Sequence, residues 1–162
     1  MPQAQRCVTI TVGDQVLTGV LEEERAPATC EAFLKLVPLR AHLLQARWSG
    51  EAAWVPLGQL DLGIGAENQL DRPRPGQVLF HAAAESETEI LLPYGAAVFA
   101  AVCGLLSGNH FLTIHGHDEQ LHEIGRRVLW EGAQEAEFVL RSSPGDDKQT
   151  CSSSARQQCP LP

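Results

Sequence analysis

Apolar and polar positions alternate through CVTITVGDQVLTGVLEE (7–23), with Gly13-Asp14 at its centre. A period of two on both sides of a tight-turn pair predicts a β-hairpin. The period then changes. In PATCEAFLKLVPL, Ala28, Ala32, Phe33, Leu36 and Val37 recur at helical spacing and the stretch stops at Pro38, which predicts a short helix. AHLLQARWSGEAAWVPL returns to strand character and turns at Ser49-Gly50, whereas the Gly- and Pro-rich LDLGIGAENQLDRPRPG predicts a long loop. QVLFHAA and ETEILLPYG predict a further strand pair, and NHFLTIHG another strand. DEQLHEIGRRVLW predicts a short amphipathic helix, with Asp118 its expected cap and Leu121, Ile124 and Val128 facing inward. AQEAEFVLRS closes the series as a strand. Many short antiparallel strands with two short helices and no internal repeat predict a mainly β fold, a β-barrel with helical plugs.

One stretch breaks the alternation. ILLPYGAAVFAAVCGLLSGN (90–109) carries no charged side chain. A spanning helix needs roughly 20 apolar residues in unbroken helix, and Pro93 and Gly95 leave only 96–106 with helical potential. Glu85, Glu87 and Glu89 precede the run and no basic cluster flanks it, so a membrane span is not expected. The run is expected to be a buried strand ending at Pro93-Tyr94-Gly95, then apolar packing, then a turn at Ser107-Gly108-Asn109. It would form the floor of a pocket, with Tyr94 at one end and Asn109-His110 at the other.

The remaining totals narrow the partners. The chain has 162 residues and a net charge of -8. Its only lysines are Lys35 and Lys148, and the arginines form no dense cluster, which speaks against a nucleic-acid partner. Residues 143–162 are poor in large apolar side chains and rich in Ser, Gln, Pro and Gly. They read as a flexible tail to a single domain over 1–142. MPQAQRCVTITVGD lacks the basic and apolar regions of a signal peptide, so a cytoplasmic location is expected. Five cysteines without a CxxC pair indicate neither a zinc site nor a disulfide framework.

The pieces ARWSGEAAWVPL, ENQ, PRPGQVLFH, ETEILLPYG and GNHFLTI, taken in that order over residues 7–142, resemble a bacterial family of uncharacterised activity with a cyclophilin-like barrel. The resemblance implies that fold and carries shared polar and aromatic positions onto Trp48, Glu51, Trp54, Asn68, Tyr94, Asn109 and His110. It extends to a Pictet–Spenglerase-type member from antibiotic biosynthesis. Cyclophilins themselves act as prolyl isomerases through a motif of the type FHxxxxxFxxQGG, which this sequence lacks. Fold alone does not deliver function.

Four constellations can carry chemistry. Trp48 and Trp54 flank Glu51 beside Arg47 on one hairpin, offering flat apolar walls with donor edges around a carboxylate of acid/base potential. Both Trp residues can equally cap the core. Tyr94, the single tyrosine, stands at a Pro-Tyr-Gly bend as a candidate pocket hydroxyl. Glu85, Glu87 and Glu89 alternate and read as a solvated face. His110, after Gly-Asn, is a candidate acid/base near neutral pH, whereas Asn109 suits the left-handed backbone of a turn. Asn68 lies in the long loop, where function often sits. His42 and His81 read as ordinary half-buried strand histidines. His115, His117 and His122 lack a carboxylate pattern, so no metal is expected.

The expected function is a cofactor-independent small-molecule enzyme using acid/base catalysis. Glu51, Tyr94 and His110 are the expected proton carriers, and Arg47, Trp48, Trp54, Asn68, Phe80, Asn109 and Phe111 the expected substrate contacts. Under the family resemblance the reaction would be a Pictet–Spengler-type condensation of an indole amine with an aldehyde. A non-catalytic module for a small molecule or peptide is the alternative, and a prolyl isomerase the third reading. Exposed barrel strands also leave room for a homodimer.

Overall fold

The computed structural model describes residues 5–82 and 86–141. The expected tail at 143–162, and Glu85, lie outside them. Strands β1 (Cys7–Val12) and β2 (Gln15–Leu21) form the predicted hairpin around Gly13-Asp14. After α1 (Pro27–Leu34), strands β3 (Leu39–Gln45) and β4 (Gly50–Pro56) form the second hairpin. The long connection holds only the two-residue β5 (Gln69–Leu70). Then follow β6 (Gln77–His81), β7 (Glu89–Ala97), the short pair β8 (Ala100–Ala101) and β9 (Gly104–Leu105), β10 (Gly108–Ile114), α2 (Asp118–Glu131) and β11 (Gln134–Leu140).

Eight strands close on themselves in the order β2-β1-β11-β3-β4-β7-β6-β10, and β10 returns to β2, every pairing antiparallel. Closure leaves no free sheet edge in this circuit. The fold is the expected mainly β, cyclophilin-like barrel with two helices. α1 follows the end of β2 and α2 follows the end of β10. These two strands are antiparallel neighbours, so the helices sit at opposite ends of the barrel. Ala26, Cys30 and Phe33 enter the interior from one end, and Leu121, Ile124 and Val128 from the other. Phe33 packs on Phe111 and Phe138, and Phe111 meets Phe80 edge-on.

The charge-free run is explained by burial on both faces. Along β6 and β7, Val78, Phe80, Ile90, Leu92 and Tyr94 point into the barrel, while Leu79 and Leu91 point outward. Residues 97–107 fold back over that outer face as a strap containing β8 and β9. Phe99 and Leu106 of the strap pack on Ala46, Ala52, Leu79 and Leu91 as a second apolar cluster.

Four local expectations change. Residues 96–106 contain the strap hairpin and no helix, and Gly108 and Asn109 begin β10 rather than forming a turn. Asn109 therefore has ordinary strand backbone; the asparagine at positive φ is Asn68, at 43°. The residue capping α2 is His117, which makes no side-chain cap bond, while Asp118 lies in the first turn, where its charge suits the helix dipole. Glu89 is not solvated, because the strap covers its face.

Candidate functional site

The strap and the β3–β4 turn enclose a groove of about 440 Å³ on the outer face of the barrel. Its size falls in the range of small-molecule pockets. Trp54 forms one wall from β4 and Trp48 another from the turn, with Arg47 beside it; Ala100–Cys103 of the strap form the opposite side. Glu89 at the start of β7 and Glu87 just before it supply carboxylates. Register explains the grouping. Trp54 lies opposite Leu91 and Glu89 opposite Pro56 across the β4–β7 ladder, so outward alternation sets Trp54 and Glu89 on one face.

Glu89 is 6% exposed. Burial, with a smaller contribution from the neighbouring Glu87, pushes its carboxyl up to about 7. It is therefore poised to give and take a proton near neutrality. Trp48 is 62% exposed at the rim, whereas Trp54 is half-buried against the strap cluster. Ser49 pins the two sides together: its hydroxyl donates to Ala100 O and accepts from Ala100 N–H, each at 3.1 Å.

The sequence-derived residues fall in four places. Arg47, Trp48 and Trp54 line the groove. Glu51 sits at an irregularity where β7 carries extra residues opposite it. Its Oε2 accepts the Ala96 N–H at 2.7 Å and lies where a side chain on Gly95 would be. Tyr94 points into the barrel beneath α2, its ring occupying the space that a Cβ on Gly125 would need. Burial raises its phenol above the ordinary value, although its bond to Gln45 opposes the shift. Phe80 and Phe111 are core residues.

Asn68, Asn109 and His110 belong to a polar network on β10. Asn109 Nδ2 donates to Thr29 Oγ1 at 2.9 Å and Gly65 O at 2.8 Å, and its Oδ1 accepts the Glu67 N–H at 3.1 Å. Glu67 in turn accepts the Ala28 and Thr29 N–H groups at the start of α1. It caps from the long loop a helix whose own Ala26 cannot. His110 is 6% exposed. Thr113 Oγ1 donates to Glu22 Oε1 and so must accept from His110 Nε2, 2.8 Å away. His110 Nδ1 is then an acceptor, and it faces Asn68 Nδ2 at 3.4 Å. Burial holds the imidazole below its ordinary value, against the pull of Glu22. The second asparagine amide contact, Asn68 Nδ2 to His110 O at 2.9 Å, locks β5 to β10. This arrangement holds the long loop in place.

A family model for proteins of unknown function (DUF3830) matches residues 8–140. The chain belongs to the DUF3830 family. A search among curated proteins finds no match. Among solved structures, this DUF3830 chain is similar to McbB in complex with tryptophan, with a TM-score of 0.68 and 17% identity over 84% of its own length. It spans 45% of the McbB chain. At that identity the likeness establishes the fold. No helix among the described residues is long and apolar enough to cross a membrane.

The residue that sequence reasoning passed over is Glu89. A signal for it exists: Leu79 and Leu91 make the outer face of β6 and β7 apolar, so something must cover that face. Any carboxylate in register with them shares the cover.

Proposed function

We propose that this protein binds a small aromatic amine or amino acid in the Trp48–Trp54 groove and transforms it by acid/base catalysis at Glu89. The observation that carries the reading is a buried carboxyl, at about 7, in an aromatic-walled groove. The likeness to McbB, whose structure is in complex with tryptophan, supports an aromatic ligand. Arg47 at the rim suits a carboxylate on that ligand.

A Pictet–Spengler-type condensation fits these parts. The amine adds to an aldehyde, and protonated Glu89 gives its proton to the departing hydroxyl, releasing one water and leaving an iminium. Ring closure on the indole forms a carbon–carbon bond. The Glu89 carboxylate then removes the ring proton, restoring aromaticity and its own starting state. Only protons move through the protein, so the reaction calls for no cofactor. Glu51 and His110, both tied to internal hydrogen bonds, serve as positioning residues under this reading.

The test is a thermal-shift screen with tryptamine and tryptophan, each alone and paired with simple aldehydes, followed by mass spectrometry. Stabilisation with loss of amine and gain of the condensed product supports the enzyme. Stabilisation without product supports a non-catalytic binding module, a reading that the openness of the rim at Trp48 favours.

A further inference from the structure

We infer that His81 is a positioning residue that exchanges a proton with Glu89 across the β6–β7 ladder; this role rests on the reading of Glu89 given above. The register places His81 directly opposite Glu89. Such partners project from the same face of a sheet, with Cβ atoms about 5 Å apart. Both side chains are buried, His81 at 9% and Glu89 at 6% exposure. Two ionisable groups therefore share one covered patch of the barrel wall.

The hydrogen bonding of His81 fixes which nitrogen is available. Its Nδ1 lies 3.3 Å from Ser107 O. A carbonyl only accepts, so Nδ1 carries the hydrogen and Nε2 presents a lone pair. The ring is further held edge-on to Phe99, at 5.5 Å between centroids. Nε2 is buried and has no hydrogen-bond partner among the described residues. An unpartnered buried acceptor is costly and calls for a donor.

Across the ladder stands the complementary group. A carboxyl held protonated by burial is a donor, and Glu89 is such a carboxyl near neutral pH. In the structure no hydrogen bond joins the two. Rotation of the Glu89 side chain exchanges its groove-facing position for the Nε2 lone pair. Transfer there breaks the Oε–H bond and forms the Nε2–H bond, leaving a carboxylate and an imidazolium; the reverse step restores both. His81 also lines a polar cavity of about 390 Å³ with Gln69 and Ser107 on the other side of the strap. Glu89 lines the groove and not this cavity, so the two residues meet only across the ladder. Among the described residues, the other charged or titratable groups lining the groove with Glu89 are Glu87 from the preceding connection, Arg47 from the β3–β4 turn and Cys103 from the strap.

The test is NMR on the full chain carrying ¹⁵N-histidine and ¹³C-carboxyl glutamate, titrated through the midpoint of Glu89. The expected result is a His81 Nε2 resonance that moves as Glu89 titrates and stays flat there in Glu89→Gln, an isosteric variant. Glu87→Gln should leave the coupling in place. If Glu89→Gln does not fold, His81→Gln takes its place: the ¹³C midpoint of Glu89 should move in that variant, and an unchanged midpoint overturns the proposal. A His81 resonance indifferent to Glu89, or one that moves identically in Glu89→Gln, overturns the proposal. Tryptamine binding is scored in parallel. Binding without coupling overturns the role of His81 and leaves the groove intact; coupling without binding supports the pair and removes the aromatic reading alone.

Discussion

The hydroxyl of Tyr94, inside the barrel, donates to Gln45 Oε1 at 2.8 Å, and the same amide donates from Nε2 to Gly50 O at 2.8 Å. One side chain thus connects the packed interior under α2 to the turn that carries Arg47 and Trp48. Tyr94→Phe keeps the ring against Gly125 and removes only the donor. The expected cost is about 1 kcal/mol of stability, from the Gln45 oxygen left without its partner. Tryptamine should still bind, weakened by less than about tenfold as the turn loosens. Urea unfolding and a fluorescence titration check the two parts.

The contrast between Tyr94 and Glu89 shows where sequence reading succeeds. Strand alternation sets the two on opposite faces of β7, and the Gly13-Asp14 turn framed its hairpin correctly, whereas the second hairpin turns over Arg47-Trp48 and Gly50 already belongs to β4. These features are local, and period two is visible in any short window. The strap is not local. Whether the outer face of β7 meets water or Phe99 depends on residues 97–107 folding back, and a run of small apolar residues does not reveal its direction. Glu89 looked solvated for that reason. The Asn109 network escaped notice on similar grounds, since its partners Thr29, Gly65 and Glu67 lie far along the chain. Trp48, Trp54 and Arg47 were legible as a group because one hairpin carries all three.

The three tryptophans should separate binding from stability. Trp48→Ala removes a rim side chain that is 62% exposed and should change stability by no more than about 0.5 kcal/mol. It should nevertheless weaken tryptamine binding roughly tenfold, as loss of an aromatic contact does. Trp54→Ala also opens a gap against the strap cluster and should cost about 2 kcal/mol. Trp130, 77% exposed on α2 and outside the groove, provides the control. Equal loss of binding in Trp130→Ala would remove the groove from consideration.

Asn109→Ala should be among the most damaging polar substitutions. It strips partners from Thr29 Oγ1, Gly65 O and the Glu67 N–H in one step. Thr29 Oγ1 keeps its bond to Glu67 Oε2 at 2.8 Å, and Gly65 O can turn to water because Gly65 is exposed, so the expected cost is about 2 kcal/mol. The loop should also become open to protease between residues 57 and 68, before global unfolding. Cleavage sites located by mass spectrometry decide this, because an intact loop in the variant would mean that the network does not hold it.

Glu89 should make stability fall with rising pH. Burial raises its folded-state midpoint to about 7, above the ordinary carboxylate value of 4.5 that the unfolded chain retains. Between those two values the folded protein binds the proton more than the unfolded chain does. Stability therefore declines as pH rises through that window, and the penalty is complete above it. Glu89→Gln cannot ionise and escapes the penalty. It should match the wild type at the acidic end and exceed it by at most about 3 kcal/mol at the alkaline end. The same variant should lose condensation activity at every pH, since an amide neither donates the required proton nor recovers it. Urea unfolding of both proteins across the window measures the difference directly. A constant offset would place Glu89 in water and take the acid/base reading with it, whereas a difference that grows with pH would tie the buried carboxyl to both the fold and the chemistry.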